Sequence, residues 1–534
     1  MSLRFLPVSP RALLVELPDL ERVLALHQAL TRDPVAGLAE TIPAARTLMI
    51  RTLPGHPADG ALAAAVAARL PEDGSARLTP TGPPIEIPLR YDGEDLPGVA
   101  ALMGLSTTEV IAAHQDTVWQ VGFCGFAPGF AYMTCADPRF DLPRHPSPRT
   151  RIPTGSVALA ARFCGIYPQD TPGGWQLIGT TPVPMWDMRR APPALLAPGM
   201  RVRFVAHRAG LRPSARLPEA RQPEPAPAPQ TPALTIRATA FPLLFQDEGR
   251  AGQASQGISG SGALDLGALR RANRAVGNPS GAAALEVTLG PLWLRAERAV
   301  TLALSGAAGR IEILAPQGPL SAPPGQAFAL DPGEELLVHP PERGMRSYLA
   351  LRGGFRVARV LGSAARDTLA MIGPDPLGAG AGLVAGELAT LATSDPGPGP
   401  LLPRPGDLVE LPVTLGPRAD WLAPDQIERF LATEWRVSPQ SSRVGIRLSA
   451  DRPLTLARKD ELPSEATEAG AVQLPHSGQP VLFLADHPLT GGYPVIATLL
   501  PRALDLAGQI PPGARIRFTA ERVFAPIQPT GGPA

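Results

Sequence analysis

The chain has 534 residues, too many for one ordinary core and enough for about three to five domains of roughly 100–200 residues each. Lysine plus arginine (49) balances aspartate plus glutamate (48) to a net charge of +1, which excludes the basic footprint of a nucleic-acid or acidic-membrane binder. Proline (66) and glycine (54) exceed a fifth of the chain and aromatics are only 5%, so turns and short strands are expected rather than long helices.

In chain order, residues 19–30 form the first predicted helix, with Leu20, Val23, Leu24, His27 and Leu30 near one face. Thr47 to Leu53 and Ile85 to Leu89 read as strands. Ser106-Thr107-Thr108-Glu109 is a capping box that opens a helix to about Gln115. After residue 116 short apolar runs broken by Gly and Pro predict a β-barrel or sandwich. Residues 218–232 (PEARQPEPAPAPQTP) hold too little apolar surface to pack and read as a semi-rigid spacer. A helix from Asp265 to Val276, capped by Asp265 and ended by Gly277, stands out in the second half. A second Pro/Gly cluster at 395–406 divides that half again. The expected units are therefore 1–90, 91–217, the spacer 218–233, 234–395 and 396–534.

Three segments recur in order. Gly173-Gly174-Trp175-Gln176-Leu177-Ile178-Gly179-Thr180 resembles Gly491-Gly492-Tyr493-Pro494-Val495-Ile496-Ala497-Thr498. Residues 155–159 parallel 470–474, and 198–204 parallel 512–518. A related β-domain is expected in each half, with a site between two such domains.

Lys459 is the single lysine, so a GxxxxGK[ST] phosphate loop is excluded, and its Ala-Arg-Lys-Asp setting does not suit an attached biotin. Cys124, Cys135 and Cys164 are too few and odd in number for a disulfide framework or a Cys-rich zinc site. The eight histidines lack HxH or HxxxH spacing, so no metal site is expected. The N-terminal residues lack a hydrophobic signal core, and no apolar run approaches the ~18 residues of a membrane span, so a soluble cytoplasmic protein is expected.

The motif Phe123-Cys124-Gly125-Phe126-Ala127-Pro128-Gly129-Phe130 reads as an anchored turn, with Cys124 as a small core residue rather than a nucleophile. Arg149 and Arg151 flank a Thr ahead of Gly155-Ser156; Arg can clamp a carboxylate or phosphate while the turn amides hold an oxyanion. Solvated surface arginines are the competing reading. Tyr167 and Trp175, around Gly173-Gly174, can wall a small planar ligand or simply pack a hairpin. In the second half, Asn273 lies in the helix after a Gly/Ser-rich run, and Arg443 and Arg447 lie four apart beyond Ser441-Ser442. An amidase Ser–Ser–Lys arrangement with Lys459 lacks the Gly-rich signature of that class. Glu465 and Gln473 follow, and His476 and His487 near the second Gly-Gly turn are the acid–base candidates.

Residues 121–132 (VGFCGFAPGFAY) and 148–181 (PRTRIPTGSVALAARFCGIYPQDTPGGWQLIGTT), with 42–48, closely resemble the family called allophanate hydrolase subunit 1, or KipI. Residues 247–265, 271–273, 277–278, 346–350, 441–448 and 474–498 resemble allophanate hydrolase subunit 2, or KipA. The resemblance implies a fusion of the B and C subunits of ATP-dependent 5-oxoprolinase, urea amidolyase-related. The implied fold is mainly β with α+β: cyclophilin-like β-barrel domains in both halves plus a small N-terminal α+β domain. The implied reaction opens 5-oxo-L-proline to L-glutamate with ATP, bound by or shared with a separate 5-oxoprolinase component of the LamB/YcsF type, the A subunit, with Mg only as the companion of ATP. Biotin-dependent carboxyl transfer to a urea-like amide and inhibition of a histidine kinase are the alternatives. The family usually carries Arg where this chain has Ala364, and Gly where it has Ala466. For the amide chemistry the expected groups are Arg149, Arg443 and Arg447 on carboxylate or phosphoryl groups. Ser156, His476 and His487 are the catalytic candidates. Gly173, Gly174, Gly491 and Gly492 supply backbone, with Tyr167, Trp175, Tyr493, Asn273, Glu465 and Gln473 around the substrate.

Overall fold

The computed structural model describes residues 3–71, 82–145, 147, 149–207, 231–458 and 460–530. Lys459 and residues 218–230 of the expected spacer lie outside the described residues.

The N-terminal unit is an antiparallel sheet of Arg4–Ser9, Ala12–Glu16, Thr47–Thr52 and Leu38–Pro43, in that spatial order. Helix Leu20–Arg32 starts where Asp19 accepts from the Arg22 amide, and it buries Val23, Leu24, Leu26 and Leu30. His27, expected near that face, bonds Thr41 Oγ1 at 2.8 Å. The far end of the chain returns here: the Ile527 amide donates to Phe5 O at 2.8 Å, and Ile527 packs on the core of Phe5, Val15 and Leu48.

A seven-stranded sheet follows, in the order 176–180, 156–160, 163–166, 131–134, 118–124, 201–206, 85–89. Its last pair is parallel, and the sheet curls back on itself where Arg90 and Thr180 exchange two backbone bonds of 2.8 and 2.9 Å. The expected break at 90 therefore falls before Ile85, because Ile85–Leu89 pairs with Arg201–Ala206. Helix Thr107–Asp116 carries the expected Ser106/Glu109 capping box.

The second half opens with two packed sheets, of six and five strands, whose inner faces share a core that includes Leu234, Leu294, Leu302 and Leu349. Helix Leu266–Ala275 covers one of them. Residues 391–394 still bond to the end of that helix, and the last unit begins at Leu408.

That unit is a closed barrel in the order 408–415, 495–499, 471–473, 481–483, 445–449, 435–437, 515–520, where the closing pair is again parallel. Strand for strand this is the order of the first barrel. The three recurring segments mark corresponding strands, with 176–180 matching 495–499, 156–160 matching 471–473, and 201–206 matching 515–520. The chain is mainly β, as expected. Among the described residues no single helix is long and apolar enough to cross a membrane.

Candidate functional site

The turn in 123–130 is one of the places where the two halves meet. Phe126 sits at φ 65, a left-handed conformation costly for an aromatic residue, and its ring packs edge-on against Phe130 and Tyr167. Its amide donates to Thr490 Oγ1 at 2.9 Å, one residue before the second Gly-Gly turn. A Cβ on Gly125 would lie 2.4 Å from that oxygen, so only glycine permits this approach. Gly129 donates to Gln256 O at 3.0 Å from the opposite end of the turn. The Tyr132 hydroxyl reaches Ser464 and Thr490.

Each Gly-Gly turn is held by a short accessory sheet: 171–173 pairs with 149–152, and 490–491 pairs with 465–466. Arg149 stands opposite Gly173, and Glu465 opposite Gly491. Residues 144–145 join the two turns. The His145 amide donates to Gly174 O at 2.7 Å, while Arg144 Nη1 lies 3.4 Å from where a Gly492 side chain would begin. Arg144 Nε pairs with Glu461 Oε1 at 2.7 Å. The Tyr167 hydroxyl faces Gly173 and lies in the field of Arg144 and Arg149; burial keeps the phenol protonated by pushing its pKa up. The junction thus presents a partly exposed Arg144 guanidinium, two buried phenols and two glycine turns, a set suited to holding an anion beside a carbonyl oxygen.

Several expected residues have other duties. All five N–H groups of Arg443 are matched by Asp486, Glu286 and Gly262 O, so it offers nothing to a substrate carboxylate. It ties the second barrel to the packed sheets. Arg447 is exposed on its strand; its backbone amide donates to Ser441 Oγ and its carbonyl accepts from the Ser438 amide. Asn273 is fully buried and bonds Ala282 O and Asn278, holding the loop after its helix, on the side of the packed sheets. Glu465 is buried against Arg418. Arg149 is committed to Glu94 and Asp95 at 2.6 and 2.7 Å. Ser156 is buried in the barrel wall, where its carbonyl accepts from the Tyr167 amide.

Trp175 packs on Phe130 and Tyr132 beneath the first turn. Gln473 donates to Tyr493 O at 3.2 Å and braces the second. Tyr493 and His476 stack edge-on at the exposed rim. His487 faces away, into a separate cavity of about 680 Å³ between the N-terminal sheet, residues 248–266 and the second barrel. Burial lowers its pKa to about 4, so it stays neutral there. Burial likewise pushes the Cys124 thiol up to about 12, leaving it un-ionised.

Sequence reasoning missed Arg144, His145 and Thr490. Arg144 and His145 sit in a proline-flanked loop without periodicity. Thr490 was within reach, because it immediately precedes the second Gly-Gly pair, next to the recurring segment. At the two departures, the Ala364 amide donates to Asp247 Oδ2 at 2.8 Å, and Ala466 is buried opposite Thr490.

Two family models divide the chain as the structure does. Residues 3–196 match the carboxyltransferase domain, subdomain C and D, and residues 256–520 match the carboxyltransferase domain, subdomain A and B. The 5-oxoprolinase B subunit of Escherichia coli O157:H7 is 37% identical over 200 residues, 37% of this chain and 90% of that protein. The 5-oxoprolinase C subunit of Escherichia coli K12 is 36% identical over 276 residues, 51% of this chain and 86% of that protein. The chain belongs to the family of 5-oxoprolinase B and C subunits, with both fused in one polypeptide. The crystal structure of TTHA0988 has the same fused extent: it is 35% identical, with a TM-score of 0.78, over 95% of this chain and 99% of that one. Urea amidolyase of Lachancea kluyveri is 31% identical over 51% of this chain but only 16% of that protein. In this fused B–C chain the two halves face each other across the Gly-Gly turns.

Proposed function

We propose that the chain is the fused B–C component of an ATP-dependent 5-oxoprolinase that opens 5-oxo-L-proline to L-glutamate together with a separate LamB/YcsF-type component. The observation that carries this reading is that relatives named as the B and the C subunits each cover one half, and that these halves converge on one junction. In this reading the lactam carbonyl lies at the junction, where the Tyr167 hydroxyl and glycine-turn amides stabilise charge developing on oxygen. The junction does not fit ATP: Arg149 is neutralised by Glu94 and Asp95, which leaves Arg144 beside the turns, and the sequence has no GxxxxGK[ST] phosphate loop, too little positive charge for a triphosphate. The reading therefore assigns ATP, and any Mg with it, to the LamB/YcsF-type component or to the surface shared with it.

The test is glutamate release from 5-oxo-L-proline with ATP, by this chain plus the LamB/YcsF-type component and by each alone. Activity only in the mixture is expected. An inactive mixture of folded chains would overturn the reading in favour of carboxyl transfer, which the carboxyltransferase family models and the urea amidolyase likeness support. A biotinylated carrier chain would then be the partner to add, since the single lysine of this chain does not suit attachment.

A further inference from the structure

Arg144 differs from the other arginines near the junction in what its guanidinium has left to give. Arg443 and Arg418 are spent on buried carboxylates, and Arg149 on Glu94 and Asp95. Arg144 Nε lies 2.7 Å from Glu461 Oε1 as an ion pair without hydrogen-bond alignment, and among the described residues no hydrogen bond occupies its Nη1 or Nη2. Those two nitrogens lie 3.4 and 3.9 Å from the position a Gly492 side chain would take, and Leu462 O lies at 3.4 Å from it on the other side. Glycine at 492 therefore keeps open the space in front of the free edge of the guanidinium. The Arg144 side chain is 34% exposed, so a ligand can arrive, and its charge is felt by the buried Tyr167 phenol beside Gly173. A planar fork with an open edge matches the carboxylate of a small ring acid.

We propose that Arg144 is the specificity-determining residue of the junction: its Nη1/Nη2 edge binds the carboxylate of a cyclic amide acid and so selects it over uncharged amides such as urea. This rests on the 5-oxoprolinase reading for the identity of the substrate, while the preference for a carboxylate is a property of the site itself. The competing role is structural, with Arg144 only bridging the halves through Glu461.

The experiment uses the full chain with the LamB/YcsF-type component. Arg144→Met should raise KM for 5-oxo-L-proline by about 10- to 100-fold, the worth of one charged hydrogen-bonded pair, with kcat changed by less than about threefold. Arg144→Lys should recover part of the loss. Glu461→Gln, which breaks the bridge but leaves the fork, should keep KM within about threefold. Inhibition by tetrahydrofuran-2-carboxylate should weaken with Arg144→Met by the same factor as KM, and weak inhibition by 2-pyrrolidinone should not change. Equal behaviour of Arg144→Met and Glu461→Gln, or an unchanged KM, overturns the proposal. If the wild-type mixture is inactive, the 5-oxoprolinase reading fails separately. Calorimetric binding of 5-oxo-L-proline against 2-pyrrolidinone to the chain alone then decides: a preference for the acid that Arg144→Met abolishes supports the assignment, and no preference overturns it.

Discussion

The two barrels share one strand order but brace their Gly-Gly turns with opposite charges. In the first barrel Arg149, across from Gly173, pairs with Asp95, which follows the strand 85–89. In the second, Glu465, across from Gly491, pairs with Arg418, which follows the corresponding strand 408–415. The position demands an ion pair but not a particular sign, because what burial penalises is an unmatched charge. The pairs also differ in depth. Arg418 and Glu465 are 4% and 8% exposed, whereas Arg149 and Asp95 are 21% and 11% exposed, with Glu94 at 64%. The second barrel is continuous, while the first is closed by a single bridge. The second turn is thus the more rigid support and the first the more adaptable.

The largest expected break in this comparison is Arg418→Met. It strands Glu465 and Glu16 near a common buried site and should cost about 3–5 kcal/mol in denaturant unfolding. Arg149→Met, its counterpart, should cost about 1 kcal/mol because water reaches its partners. Equal costs would show that the braces are not ranked by burial.

Next come the glycines themselves. A Cβ at Gly173 meets the Tyr167 hydroxyl at 2.5 Å and Ile152 Cδ1 at 2.7 Å, both held by packing. At Gly491 the nearest atom is the end of the Gln473 side chain, 2.7 Å away, which can swing aside. Gly173→Ala should therefore destabilise by about 1–3 kcal/mol and impair the mixture's activity, while Gly491→Ala should stay below about 1 kcal/mol; thermal melts and turnover read both.

A pH series sharpens the comparison further, since each barrel buries one neutral imidazole. Burial lowers His114 in the first barrel to about 3 and His487 in the second to about 4. Below the ordinary histidine range of about 6.5 the unfolded chain takes up protons that the folded one refuses, so stability should fall as pH drops from 6.5 toward 4. Asp367, raised to about 6 by burial and by Asp486, acts in the opposite sense over about 6 to 4 and offsets part of the loss. His487→Gln should flatten the acid limb of the melting curve, and an unchanged limb would mean that imidazole is solvated.

The smallest effect is expected from Arg447→Ala. That side chain faces solvent from the outer wall of the second barrel, so stability should move by less than about 0.5 kcal/mol and turnover should not change. A loss of turnover would return Arg447 to the site.

Much of this was legible in the sequence where the signal is local. Ser106 and Asp265 announced their helices through capping chemistry, the helix after Asp19 through its apolar face, and the recurring Gly-Gly segments announced a repeated β-domain. Trp175, Gln473 and the glycine turns sit inside recurring segments, and Tyr167 lies just ahead of the first Gly-Gly turn. What failed was the assignment of arginines. Arg443 and Arg144 look alike in sequence, but one is consumed by acids 43 and 157 residues away and the other keeps the four N–H groups of its Nη1/Nη2 edge. Whether a guanidinium is free depends on long-range partners that no local pattern records. The break near residue 90 failed for the same reason, since the partner of Ile85–Leu89 lies at 201–206.

The return of residues 527–530 to the N-terminal sheet gives the fusion a second tether. Ile527 joins the core of the first unit, and Thr530 donates to Gly60 O at 3.0 Å. With a covalent spacer at one end and this clasp at the other, each half holds its mate at a high effective concentration without relying on the junction's own affinity. The contacts around Thr490 and Arg144 are then relieved of holding the halves together, and can be as loose as substrate entry requires.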